Sequence, residues 1–261
     1  MLKVLQARWQ QGYRTMRYPD GPAPELPVRF AGRPQIDSGK CTAGCRQCAD
    51  VCPTQAIQWD DASCTLSLDT GRCLFRRDCE QACASGAIVF SREFRLAASR
   101  REQLVVRAGQ PAPAVAIDDA RHRVLGHSLQ LRQVSAGGCN ACEADTNVLN
   151  TVGWDLGRFG IQFVASPRHA DGLLVTGPVT ENMRLALEKT YRAVPAPKIV
   201  IAVGACAISG GPYLGHPEAH DGAAAVVPVD VFVPGCPPHP LTILQALLEV
   251  VRVLPSLRSR N

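Results

Sequence analysis

The stretch that decides the fold of the N-terminal half is KCTAGCRQCADVCPTQAI, residues 40–57. Its four cysteines, Cys41, Cys45, Cys48 and Cys52, are separated by short gaps, and a proline follows the last of them. Gaps this short place several thiolates on one tight loop, whose backbone N–H groups can turn toward an inorganic core. The stretch therefore predicts a metal centre held by thiolates.

A second cysteine group lies in GRCLFRRDCEQACASGA, residues 71–87. Each group leads into a small-residue turn and a strand start, TQAIQW and SGAIVF, so the chain contains an internal repeat. The bacterial two-cluster ferredoxin motif is C-x2-C-x2-C-x3-C-P, and its fourth cysteine ligates the other cluster. The repeat predicts an N-terminal α+β domain of ferredoxin-like fold with two iron–sulfur sites.

Because the fourth cysteine of each group ligates the cluster of the other group, the cysteines divide between two sites as follows. The first site would have a full set of four thiolates: Cys41, Cys45, Cys48 and Cys83. The second would have only three: Cys52, Cys73 and Cys79.

Arg76 stands where the missing cysteine of the second site belongs, and a guanidinium offers no lone pair to iron. Ala84 replaces the usual proline, and the gap between Cys41 and Cys45 is one residue longer than usual. Cys64 is the spare thiol nearby and a candidate fourth ligand, although its strand parity with Leu66 suggests a buried structural cysteine. We expect a three-iron or otherwise incompletely ligated cluster, or loss of this cluster.

Composition narrows the class of protein. The chain has 261 residues, and its hydrophobic fraction of 46% excludes a disordered chain. Its formal charge of +5 is modest and gives little support to nucleic-acid binding. Neither a secretory leader nor an apolar run of membrane-spanning length is visible. We therefore expect a reducing, cytoplasmic location, in which the twelve cysteines are metal ligands rather than disulfides.

The sequence around the cysteine groups divides the first 127 residues into an N-terminal arm, a domain and a linker. Residues 1–30 predict an amphipathic helix and arm, which would pack either on its own domain or on a partner or membrane surface. The ferredoxin-like domain would cover residues 31–97. Residues 98–127 lack periodicity and include AGQPAPA, which is typical of a linker.

Residues 128–261 predict a different architecture. Apolar strand-like runs (LQLRQV, IQFVA, GLLVTG, KIVIAV and VDVFV) alternate with helical stretches, which indicates an α/β domain with a parallel sheet. Four cysteines lie just beyond the carboxyl ends of predicted strands: Cys139, Cys142, Cys206 and Cys236. Because those ends share one crevice, the four thiolates can converge on one metal centre. A structural zinc remains the alternative, here and in the ferredoxin-like part.

Several motifs in this half, GGCNACE, FVASPRHADGLLVTGPVT, VGACAISGG and VPGCPPHP, resemble the small cluster-bearing subunit shared by group 4 [NiFe] hydrogenases and respiratory complex I. The N-terminal half resembles the two-cluster ferredoxin subunit of the same complexes, so the chain is similar to a fusion of two neighbouring subunits of formate hydrogenlyase type. The resemblance implies a flavodoxin-like domain with a proximal [4Fe-4S] cluster against a large catalytic subunit. Asn140 and Ala141 separate the first ligand pair, whereas complex I members carry adjacent cysteines there; this favours the hydrogenase branch.

The function implied is electron transfer within a membrane-associated complex, with the chain peripheral on the inner face of the membrane and the catalytic site on a partner. The alternatives are the equivalent subunit of a quinone oxidoreductase without a nickel site, and a zinc-stabilised scaffold. Three further residues are candidates for auxiliary roles. Glu143 could relay protons or form a hydrogen bond near the proximal cluster, Arg168 could lie near the cluster or the partner, and His239 could tune the cluster potential.

Overall fold

The computed structural model describes residues 2–42, 44–60, 65–118, 122–123, 125–126 and 128–251. Cys64, the candidate fourth ligand of the second ferredoxin-like site, lies outside the described residues.

Between residues 31 and 107, the described part of the chain forms two small antiparallel sheets and two short helices. One sheet pairs β1 with β4, and the other has three strands in the order β2-β3-β5. The helices α2 and α3 contact each other, and each contains a cysteine of its group. The elements are β1 (Pro34–Ile36), α2 (Gln47–Asp50), β2 (Ile57–Asp60), β3 (Thr65–Asp69), α3 (Asp78–Ala82), β4 (Ile88–Phe90) and β5 (Val105–Arg107).

The C-terminal half is built on a five-stranded sheet in which every neighbouring pair of strands is parallel. The strand order is β10-β9-β8-β6-β7, the flavodoxin-like order, so the predicted fold class is confirmed. The elements are β6 (Leu129–Ser135), α4 (Ala141–Val148), β7 (Ile161–Phe163), β8 (Gly172–Thr176), α5 (Glu181–Ala193), β9 (Ile199–Val203), α6 (Ala205–Ser209), β10 (Val231–Val233) and α7 (Pro240–Val250).

Burial on both faces explains the sequence of the central strands. Every residue of β8 and β9 is buried, which suits continuous apolar runs rather than an alternating pattern. Neighbouring residues of one strand enter different cores: Leu174 packs with α7 and Leu173 with α5. The sheet is thus a rigid middle layer, and the loops at its carboxyl edge are held by helices on both sides.

The segment after the ferredoxin-like sequence differs from the predicted linker over 98–127. Ala98 forms an antiparallel bridge with Phe232 of β10, and β5 adds a strand to the ferredoxin-like sheet by pairing with β3. The weak periodicity arises because these pairings are short and join elements distant in sequence. Residues 98–107 therefore belong to packed structure that connects the two halves.

Further contacts fix the two halves against each other. Ser209, the last residue of α6, donates its hydroxyl to the carbonyl of Gly71 at 2.9 Å. A Cβ at Gly71 would lie 2.9 Å from Ile208, so glycine permits this close approach. Next to it, Arg101 forms a two-pronged ion pair with Asp69, at 2.7 and 2.6 Å. The segment just before Cys73 is therefore packed on the helix that carries Cys206.

The first helix, α1 (Leu2–Gln11), has no buried residue, and Leu2, Leu5 and Trp9 are exposed. Packing on its own domain, one of the two expectations, is not observed. The arm that follows does pack: Met16 and Tyr18 contact the core of the C-terminal half, and Arg158 donates to both of their carbonyls. Within the described residues, none of the helices is both long and apolar enough to cross a membrane.

Candidate metal centres

The four cysteines of the C-terminal half lie at one edge of the parallel sheet. Cys139 and Cys142 follow β6 and flank the start of α4, Cys206 is in the first turn of α6 after β9, and Cys236 follows β10. These are the carboxyl ends of three strands, as the sequence predicted. Cys139 and Cys236 are exposed, whereas Cys142 and Cys206 are half-buried. We call these four cysteines the rim; the exposed pair forms its outer side and the half-buried pair its inner side.

The environment of these thiols shows that the structure brings them together. Burial raises the pKa of Cys142, and the neighbouring Cys206, Cys236 and Cys139 add to the rise. Burial likewise raises the pKa of Cys206 to about 11, with contributions from Cys236 and Cys139. Without a metal these two thiols stay neutral at pH 7. Metal binding would therefore release protons and compensate the burial of the thiolates.

Two glycines shape the inner side of this rim. A Cβ at Gly204 would lie 2.5 Å from Sγ of Cys142, and one at Gly211 would lie 2.9 Å from Sγ of Cys206. Both residues have positive φ values, +92° and +55°, which glycine adopts without strain. Four converging thiols with clear space kept beside two of them fit a thiolate-bound cluster.

The first ferredoxin-like group also converges. Burial raises the pKa values of Cys41 and Cys48, and in both cases the thiol of Cys83 is the next cause. The four thiols, Cys41, Cys45, Cys48 and Cys83, line one cavity of about 600 Å³. The crossing predicted from the sequence, in which Cys83 joins the other three, is thus the arrangement in space.

The second group brings three thiols together. Burial raises the pKa of Cys73 to about 12 and that of Cys79 to about 11, and Cys52 contributes to both. The three line a cavity of about 30 Å³ together with Leu74, Phe75 and Phe90. Arg76 is at the rim of this cavity, is 61% exposed and pairs with Asp78 at 2.9 Å.

The two ferredoxin-like sites share a pattern of hydrogen bonds to sulfur. The amide of Ala56 donates to Sγ of Cys52 at 3.2 Å, and that of Ala87 donates to Sγ of Cys83 at 3.2 Å. In the second site the amide of Phe75 also donates to Sγ of Cys73, at 3.3 Å. Such donors stabilise a thiolate and tune a cluster potential, so both sites keep this feature of a cluster-binding loop.

The three sites are arranged in series, and the three-thiol site is in the middle. On one side, the thiol of Cys48 lies close enough to Cys79 to contribute to its raised pKa. On the other side, Leu74 and Phe75 line a cavity of about 210 Å³ together with Cys236 and His239. The bond from Ser209 to Gly71 joins the same two regions. The spacing of cysteines along the sequence indicated each site, but it did not indicate how the three sites are arranged in space.

Glu143 is buried beside the rim of the C-terminal half. Its Oε1 accepts hydrogen bonds from the hydroxyls of Ser135 and Thr176, each at 2.6 Å. Burial would raise the pKa of Glu143, but these hydrogen bonds outweigh it and lower the pKa below its ordinary value. The carboxylate also contributes to the raised pKa values of Cys142 and Cys206, so a fixed negative charge lies next to this centre.

Of the other two auxiliary candidates, His239 lies near the thiols of the C-terminal half and Arg168 does not. His239 lines the cavity beside Cys236, accepts from the amide of Leu241 through Nδ1 and has its pKa lowered by burial. Arg168 is exposed and three residues before Asp171, whose carboxylate accepts from the amide of Gln130 near the start of β6. The start of β6 is at the amino edge of the sheet, opposite to the carboxyl edge that carries the thiols, so the structure does not bring Arg168 to them.

Some residues of these sites had no signal of their own in the sequence. Ser135 and Thr176, which hold Glu143, are the last residues of two strands, and only the pairing of β6 with β8 places them side by side. Gly204, by contrast, does have a signal in the sequence, because a glycine between a buried strand and a ligand often marks a close approach of the backbone.

No three His, Cys, Asp or Glu side chains in the described part of the chain are close enough together to ligate a single metal ion. A zinc ion would require all its sulfurs at about 2.3 Å from one point. In an iron–sulfur cluster each thiolate binds a different iron, so the sulfurs stand further apart. Zinc and iron–sulfur clusters therefore differ in the spacing of sulfurs that they require.

Comparison with known proteins gives two family matches. The family described as NADH ubiquinone oxidoreductase, 20 Kd subunit, matches residues 139–250, and the 4Fe-4S dicluster domain matches residues 32–87. A probable membrane-bound hydrogenase subunit, mbhJ of Pyrococcus furiosus, is 42% identical over 51% of this chain and 79% of its own length. Formate hydrogenlyase subunit 7 of Escherichia coli is 44% identical over 50% of this chain and 51% of its own length.

A third relative, from the NADH-quinone oxidoreductase of Symbiobacterium thermophilum, is 42% identical over 45% of this chain and 65% of its own length. The fold, the thiol groups and these relatives define an electron-transfer component of an oxidoreductase that carries [4Fe-4S] clusters. The chain belongs to the family of the 20-kDa subunit of NADH:ubiquinone oxidoreductase, with a dicluster ferredoxin domain ahead of it.

Replacing Glu143 by glutamine is expected to raise the reduction potential of the cluster at the C-terminal rim. The change removes a negative charge near Cys142 and Cys206, and a less negative surrounding favours the reduced cluster. A potentiometric titration followed by electron paramagnetic resonance measures the shift. Glu181→Gln, an exposed carboxylate on α5, is the control and should leave the potential unchanged. An unshifted potential in Glu143→Gln would contradict the placement of this charge.

Proposed function

We propose that this chain is the electron-transfer subunit of a membrane-associated group 4 [NiFe] hydrogenase complex of formate hydrogenlyase type. It would carry electrons between ferredoxin-type clusters and a proximal [4Fe-4S] cluster beside the active site of a large subunit. The observation that carries the proposal is the series of three thiol sites, which ends at an exposed sheet edge.

The ligand assignment follows the groups of thiols that converge. Cys139, Cys142, Cys206 and Cys236 would hold the proximal cluster, and Cys41, Cys45, Cys48 and Cys83 the outermost one. Cys52, Cys73 and Cys79 would hold the cluster between them. When bound, such clusters accept and release single electrons, and the chain supplies thiolates, burial and hydrogen bonds to sulfur.

The exposed cysteines of the C-terminal half indicate which end of the series faces a partner subunit. Cys139 and Cys236 are exposed at the carboxyl edge of the sheet, so a cluster held there would need a partner surface to exclude water. A hydrogenase-type large subunit is the partner that the relatives suggest. The spacing of the first ligand pair, in which Asn140 and Ala141 separate the two cysteines, supports the hydrogenase branch as well. The complex would lie on the cytoplasmic face of the membrane, and this chain would be peripheral.

The equivalent role in a quinone oxidoreductase is the second candidate, because the matching family is that of a component of NADH:ubiquinone oxidoreductase. Any nickel ligands belong to another polypeptide. In the large-subunit sequence encoded next to this chain, two C-x2-C pairs, one near each end, would favour the hydrogenase.

The decisive experiment is anaerobic purification of the complex through a tag on this chain. Hydrogen evolution from a reduced viologen, with nickel present in the preparation, is the expected result. Quinone reduction without nickel would support the second candidate instead. Zinc in place of iron and acid-labile sulfide would refute electron transfer altogether.

A further inference from the structure

We propose that the middle site is a built three-thiolate site that holds a three-iron cluster, with Arg76 at the corner that the fourth iron and its thiolate would otherwise occupy. The inference rests on the proposed function, in which this site relays electrons between the other two. It goes beyond that function by assigning the chemical type of the relay.

The three thiols form a prepared site. Cys73 and Cys79 are each only 7% exposed, and they line one cavity together with Cys52. Backbone amides donate to the sulfurs of Cys52 and Cys73, at 3.2 and 3.3 Å. Converging sulfurs with amides turned toward them are the features of a loop that binds a cluster.

The loop around Arg76 keeps the backbone of a ligand loop. In the intact first site, Gly44 precedes the corner residue Cys45 and has φ +75°. In the middle site, Phe75 precedes Arg76 with φ +55°, although a side chain makes this conformation costly. The corner position is therefore retained in space, and only its ligand has changed.

The corner itself disfavours a fourth iron. The guanidinium has no lone pair and carries a positive charge, which repels a ferrous ion and complements the negative charge of a thiolate-bound cluster. Arg76 also pairs with the carboxylate of Asp78 at 2.9 Å. Among the eleven described cysteines, four belong to each of the other two sites, and the remaining three are the ones already here.

The test uses the full chain, reconstituted with iron and sulfide under strict anaerobic conditions and then oxidised mildly. An oxidised three-iron cluster is paramagnetic, whereas oxidised four-iron clusters of the ferredoxin type are diamagnetic. We expect a three-iron resonance and about eleven iron atoms per chain, from two four-iron clusters and one three-iron cluster. About eight irons without the resonance would overturn the proposal, and so would about twelve. In the latter case a loss of iron in Cys64→Ser would identify the fourth ligand.

A pair of variants at the corner gives a second, independent measurement. Arg76→Cys should remove the three-iron resonance and raise the count to about twelve irons, because the corner regains a thiolate. Arg76→Lys keeps the positive charge without adding a ligand and should retain both the resonance and the count. An unchanged resonance in Arg76→Cys would overturn the assignment of the corner.

The reconstituted chain and the complex purified through this chain together separate this inference from the proposed function. A three-iron resonance in a complex that evolves no hydrogen would leave the inference standing and refute the function. Hydrogen evolution by the complex, together with about eight or twelve irons in the reconstituted chain, would refute the inference and leave the function standing.

Discussion

Replacing Cys206 by serine is expected to reduce hydrogen turnover of the complex by at least about 100-fold, since even the loss of a residue that only supports a metal ligand commonly costs 10–100-fold. Cys206 is in the first turn of α6, where its thiol meets those of Cys236 and Cys139. A serine hydroxyl is a far weaker ligand than a thiolate. The proximal cluster would be lost or incompletely ligated, and the last step to the partner would fail.

The measurement for Cys206→Ser combines turnover with the resonance signals of each cluster. The signal of the proximal cluster should disappear while those of the ferredoxin-like clusters persist, because their ligands are in the other half of the chain. Ala225→Ser adds a serine at an exposed position of the same half and should behave as the native protein. Normal turnover in Cys206→Ser would remove Cys206 from the electron path.

Replacing Gly204 by alanine is expected to have an effect almost as large without touching any ligand. Gly204 has φ +92°, a conformation that costs a residue with a side chain about 1–3 kcal/mol. The added Cβ would also stand 2.5 Å from Sγ of Cys142, so either the thiol or the strand end must move. Since the amide of Gly204 donates to Val233 at 2.9 Å, movement of the backbone would break that bond.

Iron content and the proximal resonance measure the outcome for Gly204→Ala, and both should fall while the chain still folds. Gly153→Ala is a matched control, because no atom lies within 4 Å of the Cβ it would add. A normal proximal cluster in Gly204→Ala would contradict the close approach of this backbone to the thiol of Cys142.

The local cysteine spacing let the sequence alone predict much of the two ferredoxin-like sites. Cys45 and Cys48 are on one short loop, so their proximity follows from chain length alone. The two-cluster motif also predicted that Cys83 joins the first site, because the fourth cysteine of each group ligates the other cluster. The parallel sheet was predictable too, since strands such as β8 are apolar throughout and alternate with helices.

Predictions that depended on contacts between distant residues were less successful. Arg168 was a candidate for a place near the cluster or the partner, with an ordinary surface arginine as the alternative, and the chain from β7 returns to the amino edge of the sheet before β8 begins. The linker over 98–127 was inferred from missing periodicity, and a strand of three residues is too short to show any. α1 stays without a packing surface among the described residues of this chain.

The sequence by itself determined the ligand types, the defect at Arg76 and the class of fold, because each of these depends on residue chemistry or on spacing along a short segment. The tertiary structure alone decided that the site with Arg76 is the middle of three, and that Glu143 is fixed beside the last. Both depend on contacts such as Ser209 with Gly71, 138 residues apart, which no local pattern encodes. Only the packing of one half on the other turns three separate thiol groups into a series.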